Sequence, residues 1–193
     1  MTYVNHGPLD GEPLISGRAY DKINHSFEQL RRRVGGAKQI EAQVPSAAPR
    51  LKPLEERLRF VQDAISDISM HLPKGFAAGL NRQFANLMDD DAWEDDDELI
   101  SPEALTAFIR TLLSSQTNRR PGIGTNGRGS ITASWTDGDS RLTIECLATG
   151  LVSLVLSRKG ENGEVERAAF GPVRPKRVRE ILAPFSSEIW FGS

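Results

Sequence analysis

A single cysteine stands among 193 residues, so no internal disulfide can form and a stapled secreted fold is excluded. Aromatic residues make up only 7% of the chain, and no apolar run approaches the roughly 20 residues needed to cross a bilayer. No membrane partner is therefore expected. Charge of either sign is not in excess: 24 Lys+Arg face 26 Asp+Glu, for a net charge of −2, which argues against nucleic acid as the main partner. Residues 1–20 hold Asp10 and Glu12 among glycines and prolines with no apolar stretch, so no secretory leader is legible there and a cytoplasmic location is expected. Histidine is scarce too. His6, His25 and His71 are scattered, and none has a second histidine or a cysteine one helical turn away, so no cofactor or metal is expected.

What is present is a strong change of hydrophobic period along the chain. Residues 1–15 mix Gly, Pro and polar residues without period and read as an arm. Tyr20, Ile23, Phe27, Leu30 and Val34 then form a helical stripe that ends at Gly35-Gly36. Pro45, Pro49 and Pro53 mark a linker, because each proline pushes its predecessor out of helical geometry. From there Leu54, Leu58, Val61, Ile65, Ile68 and Leu72 step alternately by four and three, a heptad seam. The seam reads first as a helix packed within the chain, with a partner helix or a second copy as the alternative. Phe76, Leu80, Phe84 and Leu87 suggest a further helix, weakened by Gly75 and Gly79.

Ser101-Pro102-Glu103 opens the clearest helix, with a capping residue followed by proline at the first position. Leu105, Phe108, Ile109, Leu112 and Leu113 give it a buried face. After Pro121 the period falls to two. Ile131, Ala133 and Trp135, then Leu142, Ile144 and Cys146, then Val152, Leu154 and Leu156, then Val165 with Ala169, read as the inward residues of strands separated by glycine turns. Pro175–Leu182 reads as a brief basic helix, and Phe185–Phe191 as an apolar tail that packs or binds.

The expected fold is therefore α+β: N-terminal helices followed by a four-stranded antiparallel β-meander covered by a helix. Four segments are expected: 1–52, an arm with a short amphipathic helix and a Pro-rich linker; 53–88, helical; 89–101, an acidic loop; and 102–193, a helix plus antiparallel sheet.

Charge is unevenly distributed. Residues 89–103 carry nine acidic and no basic residues, whereas the flanks carry 12 basic against 9 acidic on one side and 12 against 8 on the other. The stretch DDDAWEDDDE reads as a solvated acidic loop, as a docking strip for a basic surface, or as a divalent-metal site. Calcium loops alternate their ligands around a glycine, and this stretch has neither alternation nor glycine. Trp93, flanked by Asp95 and Asp96, has the character of an interface anchor.

No catalytic motif assembles. PGIGTNGRGS at 121–130 is glycine-rich but lacks the Gly-Lys-Ser/Thr ending, and a strand follows it, so it reads as a flexible turn entering the sheet. Cys146 reads as a small core residue. Glu55, Leu58 and Phe60 come close to the Gln-x-x-Leu-x-Phe peptide by which bacterial replication proteins grip the DNA sliding clamp, with glutamate in place of glutamine.

Leu72-Pro73, Gly75, Trp93, Ile100-Ser101-Pro102-Glu103-Ala104-Leu105, Pro121, Ile123, Gly129-Ser130-Ile131, Trp135 and Leu142-Thr143-Ile144-Glu145 together make a pattern over about 85 residues. That pattern resembles a group of small, mostly uncharacterised bacterial proteins from toxin–antitoxin or defence gene neighbourhoods. The resemblance implies a partner-dependent role and no particular chemistry.

The expected function is thus a non-catalytic protein-interaction module, a component of a toxin–antitoxin or phage-defence system. Its protein partner would be a cognate toxin or antitoxin, and Glu55, Leu58, Phe60, Val61, Ile65, Trp93, Asp95, Asp96, Trp190 and Phe191 are the candidate contact residues. Two alternatives stand beside it: a growth-inhibiting toxin that binds the sliding clamp, and a metal-assisted hydrolase using the acidic segment.

Overall fold

The computed structural model describes residues 51–89, 93, 97–159 and 163–192, all of which fall within one packed unit. The expected arm, its amphipathic helix and the linker up to residue 50 lie outside the described residues.

Helix α1 spans Leu51–Asp67 and α2 spans Phe76–Leu87. Of the heptad seam, Leu54, Val61, Ile65 and Ile68 are buried, while Leu58 and Leu72 are half-buried. The α-helix stops at Asp67, short of the expected Leu72, and a 3-10 turn covers Ser69–His71. Leu72 is extended, at φ −107° and ψ 154°, because it precedes Pro73. Gly79 survives inside α2 as a site of close approach: the Arg120 guanidinium lies where a Cβ would stand.

Helix α3, Pro102–Ser115, begins as its sequence dictates. Ser101 is extended, and its Oγ accepts from Ala104 N at 3.0 Å, with Pro102 in the first turn where its missing N–H costs nothing. Leu105, Phe108, Ile109 and Leu112 are at most 1% exposed, and each contributes about 1.5–3 kcal/mol of burial. One side of α3 meets α2, where Phe84 and Phe108 pack edge to face at 5.8 Å, and another meets the sheet at β2 and β3.

The sheet is an antiparallel meander of five strands in the order β1-β2-β3-β4-β5. They run Gly122–Gly124, Ile131–Asp137, Ser140–Cys146, Val152–Lys159 and Val165–Val173. The expectation of four strands missed β1. Its glycines carry no strand preference, and only pairing with β2, Gly122 to Ser134 and Gly124 to Thr132, makes it a strand. The inward residues of β2, β3 and β4 are as expected: Ile131, Ala133, Trp135, Leu142, Ile144, Cys146, Val152, Leu154 and Leu156 are all buried. Strand β5 differs. Val165 pairs with Lys159 and Ala169 with Val155, so both face away from the core, and it is Ala168 and Phe170 that turn inward. A slip of one residue exchanges the faces of a strand, and on an edge strand with nothing fully buried the sequence gives little to fix it.

The chain then closes the core with short pieces. A 3-10 turn at Pro175–Arg177 and helix α4, Val178–Leu182, pack on α3, burying Val178 and Leu182. After a 3-10 turn at Ala183–Phe185, helix α5, Glu188–Phe191, returns to β2. Trp190 is fully buried, and Phe191 meets Trp135 edge to face at 5.3 Å. A polar latch fixes this tail. The Phe191 carbonyl accepts from Asn118 N at 2.6 Å and Arg119 N at 3.1 Å. The Arg119 guanidinium donates to Thr136 O at 2.9 Å and to Ile189 O, and Trp135 Nε1 donates to Arg119 O at 2.8 Å.

Among the described residues, no helix is long and apolar enough to cross a membrane.

Candidate functional site

Among the described residues, the reactive side chains do not converge. Cys146 is fully buried between the sheet and α3, and burial pushes its thiol far above the ordinary range; the Glu145 charge adds to this and the Thr111 hydroxyl opposes it. A thiol held protonated in an apolar layer is neither nucleophile nor ligand. His71 is exposed on the 3-10 turn after α1. Among the described residues no three His, Cys, Asp or Glu side chains come together in a way that could hold a metal ion. Of the acidic strip, only Asp89, Asp97 and Glu98 are described, and Asp95 and Asp96 lie outside the described residues.

The C-terminal end of that strip is built into the body. Glu98 N donates to Gly127 O at 2.8 Å, Gly129 N to Glu98 O at 3.3 Å, and Ser101 N to Gly129 O at 2.9 Å. The glycine-rich segment is therefore a docked loop, in contrast to the flexible turn expected. Gly127 suits its place, with φ at +68° and the Asp97 carboxylate lying where a Cβ would stand. Thr125 Oγ1 donates to Ser130 O at 3.0 Å, and Glu145 Oε1 accepts from Asn126 at 2.8 Å and Ser130 at 3.2 Å.

The residues singled out from sequence divide into two groups. Val61, Ile65, Trp190 and Phe191 are at most 3% exposed and are spent on the chain's own core. Trp93 is half-buried, its indole N–H donating to Leu87 O at 2.8 Å, which ties the strip to the end of α2. Glu55 is exposed and lies 3.9 Å from the Arg59 guanidinium, and Phe60 is half-buried with the Arg57 guanidinium 5.5 Å above its ring. Burial lowers the Arg57 pKa, with Glu103 acting against that shift. Glu55, Leu58 and Phe60 thus sit on a helix, whereas a clamp-binding peptide of that pattern is extended.

The surface the sequence reading passed over is the outer face of the sheet. The register sets Ser134, Thr143, Val155 and Ala169 in one row across four strands. Thr136, Arg141, Ser157 and Arg167 form the next row, and Thr132, Glu145 and Ser153 the row on the other side. Val155 stands at the centre of this face at 55% exposure, and Val165 at its edge is equally exposed. Among the described residues Arg141 reaches only Ser134 Oγ, at 3.4 Å, and Arg167 makes no ion pair, while Lys159 is held by Asp139 at 2.9 Å. That contact lowers the Asp139 pKa and raises that of Lys159. Short hydroxyl side chains, two outward valines and two arginines without an ion pair among the described residues make a shallow floor, and the Glu145 carboxylate on it is engaged by Asn126 and Ser130. The signal for it was in the sequence: the outward half of β2 is Thr132, Ser134 and Thr136, and Val155 interrupts the polar half of β4.

A second concavity, about 410 Å³, lies between the end of α3 and α5, lined by Ser115, Gln116, Asn118, Arg179, Ser187 and Glu188 among others. Arg179 spans it by donating to Gln116 Oε1 at 2.7 Å. It holds no histidine or thiol to activate either serine.

No protein-family model, curated protein or solved structure matches this chain.

Proposed function

We propose that this chain is a non-catalytic protein-interaction module that binds its partner through the outer face of the sheet, and that it serves as one component of a toxin–antitoxin or phage-defence pair. The observation that carries the reading is the contrast between the two faces. One is sealed under α3 and α5 with the inward apolar side chains of β2, β3 and β4 all buried; the other leaves Val155 and Val165 half open to water. Antiparallel sheets tolerate one wetted face, and outward valines on such a face are exposed apolar surface that a partner can cover. Between Arg141, Glu145, Lys159 and Arg167 the floor is Thr, Ser, Val and Ala, short side chains that lose little entropy on being covered. The placement in a toxin–antitoxin or defence pair rests on the motif resemblance.

The test is capture of partners from a bacterial lysate on the tagged full chain, run beside Val155→Asp, with native mass measurement of the eluate. A protein retained in whole-number stoichiometry by the wild type and lost from the variant supports the reading. A monomer with no such protein, or one held equally by both chains, overturns it.

A further inference from the structure

The open face ends in an open edge, and that edge narrows what the partner can be. Strand β5 is last in the sheet order, so among the described residues one side of it has no strand beside it. The opposite edge, β1, is only Gly122–Gly124 and packs against α2. Along β5 the register with β4 is regular from Val165 to Phe170 and is broken by a bulge between there and Val173, with Pro172 inside the irregular part. Bulge and proline blunt that end of the edge. The Val165–Phe170 stretch has neither device, and its residues are exposed or half-buried.

We infer that Val165–Phe170 is a strand-addition site for an extended acidic segment of a protein partner, resting on the reading of this chain as an interaction module. An unpaired edge offers alternating N–H donors and C=O acceptors at a spacing that only another polypeptide strand matches. A nucleic acid fits poorly, because the outer face carries no aromatic ring for bases to stack on. The side-chain preference follows from the register. Val165, Arg167 and Ala169 share the outer face, so an added strand sets its own alternate residues beside them. An apolar residue suits Val165, an Asp or Glu suits the unpaired Arg167, and a second apolar residue suits Ala169. Arg141 lies two strands away in the same row as Arg167, roughly 10 Å off at about 4.8 Å per strand, and adds to the positive field. Self-pairing of two copies centred on Arg167 would oppose like charges, which disfavours the chain's own β5 as the occupant.

The test selects a displayed library of random short peptides on the full chain. Enriched peptides should share an apolar–x–acidic–x–apolar alternation and give cross-strand backbone NOEs to Val165–Phe170. Arg167→Glu should weaken them about fivefold to tenfold, and replacing the acidic residue by lysine should restore binding to that variant. Circular dichroism of Arg167→Glu checks that the exposed substitution leaves the fold intact. Peptides that bind with NOEs to helices or to the centre of the sheet overturn strand addition while leaving the interaction reading standing. Absence of any bound peptide or cellular partner overturns both. A basic consensus, dimerisation through β5, or β5 amides already protected by the chain's own residues in the free monomer each overturns the acidic partner strand.

Discussion

Truncating Phe191 to alanine separates a tail that holds the fold from a tail kept for a partner. Phe191 is 3% exposed and packs edge to face on Trp135 at 5.3 Å, next to the fully buried Trp190. Deleting a buried phenylalanine costs about 3–5 kcal/mol in lost transfer energy and cavity. A domain of this size has about 5–15 kcal/mol in total, so Phe191→Ala removes about a fifth of it or more. At about 2–4 °C per kcal/mol, Tm should fall by about 6–20 °C. The assay is urea unfolding followed by tryptophan fluorescence, with calorimetry for Tm and a check that the urea dependence is unchanged. Val155→Ala is the control, since a 55% exposed side chain on the outer face should change stability by less than about 0.5 kcal/mol. A Phe191→Ala protein within about 1 kcal/mol of wild type would refute the packing argument. An apolar tail reserved for a partner would lose binding and keep stability, the reverse of what the packing requires.

Arg119→Ala removes guanidinium bonds to Thr136 O and Ile189 O, and should cost about 1.5–3 kcal/mol while speeding amide exchange in Glu188–Phe191 more than in β3. Uniform exchange changes would show that the latch is not local. Ser101→Ala deletes the cap on Ala104 N and should cost about 1 kcal/mol, recovered mostly by Ser101→Asp; no loss on thermal unfolding would place the start of α3 elsewhere. Cys146 stays protonated in the folded chain while the unfolded thiol titrates near about 8.5, so the unfolded state holds fewer protons above that pH. Stability should therefore be indifferent to this group below about pH 8 and fall by up to about 1.4 kcal/mol per unit above it, a slope that Cys146→Ala removes. Thiol reagents should label the native protein only at its unfolding rate, and rapid labelling would contradict the burial.

Local chemistry made much of this fold legible in advance. The Ser101-Pro102 start of α3, its apolar stripe, and the inward residues of β2 to β4 follow from capping and from the two hydrophobic periods, and they stand where those rules put them. The misses have a common cause, which is that a neighbour decided the outcome. Strand β1 exists because β2 pairs with it, and β5 faces the way its partner strand sets it. The 125–130 loop is ordered by Glu98 and Ser101, residues some 25 to 30 positions upstream. Candidate contact residues were harder still. Hydrophobic residues such as Val61, Ile65 and Trp190 look the same in sequence whether they fill a core or wait for a partner, and here the chain uses them itself. The outer face was hidden because threonine and serine in a strand signal nothing until register lines them up.

The most direct measurement is a deuterium-exchange difference map of the captured complex against the free chain. The account predicts new protection confined to Arg141–Glu145, Ser153–Lys159 and Val165–Ala169. Protection concentrated instead on α1, on the strip around Trp93, or nowhere in the sheet would contradict it.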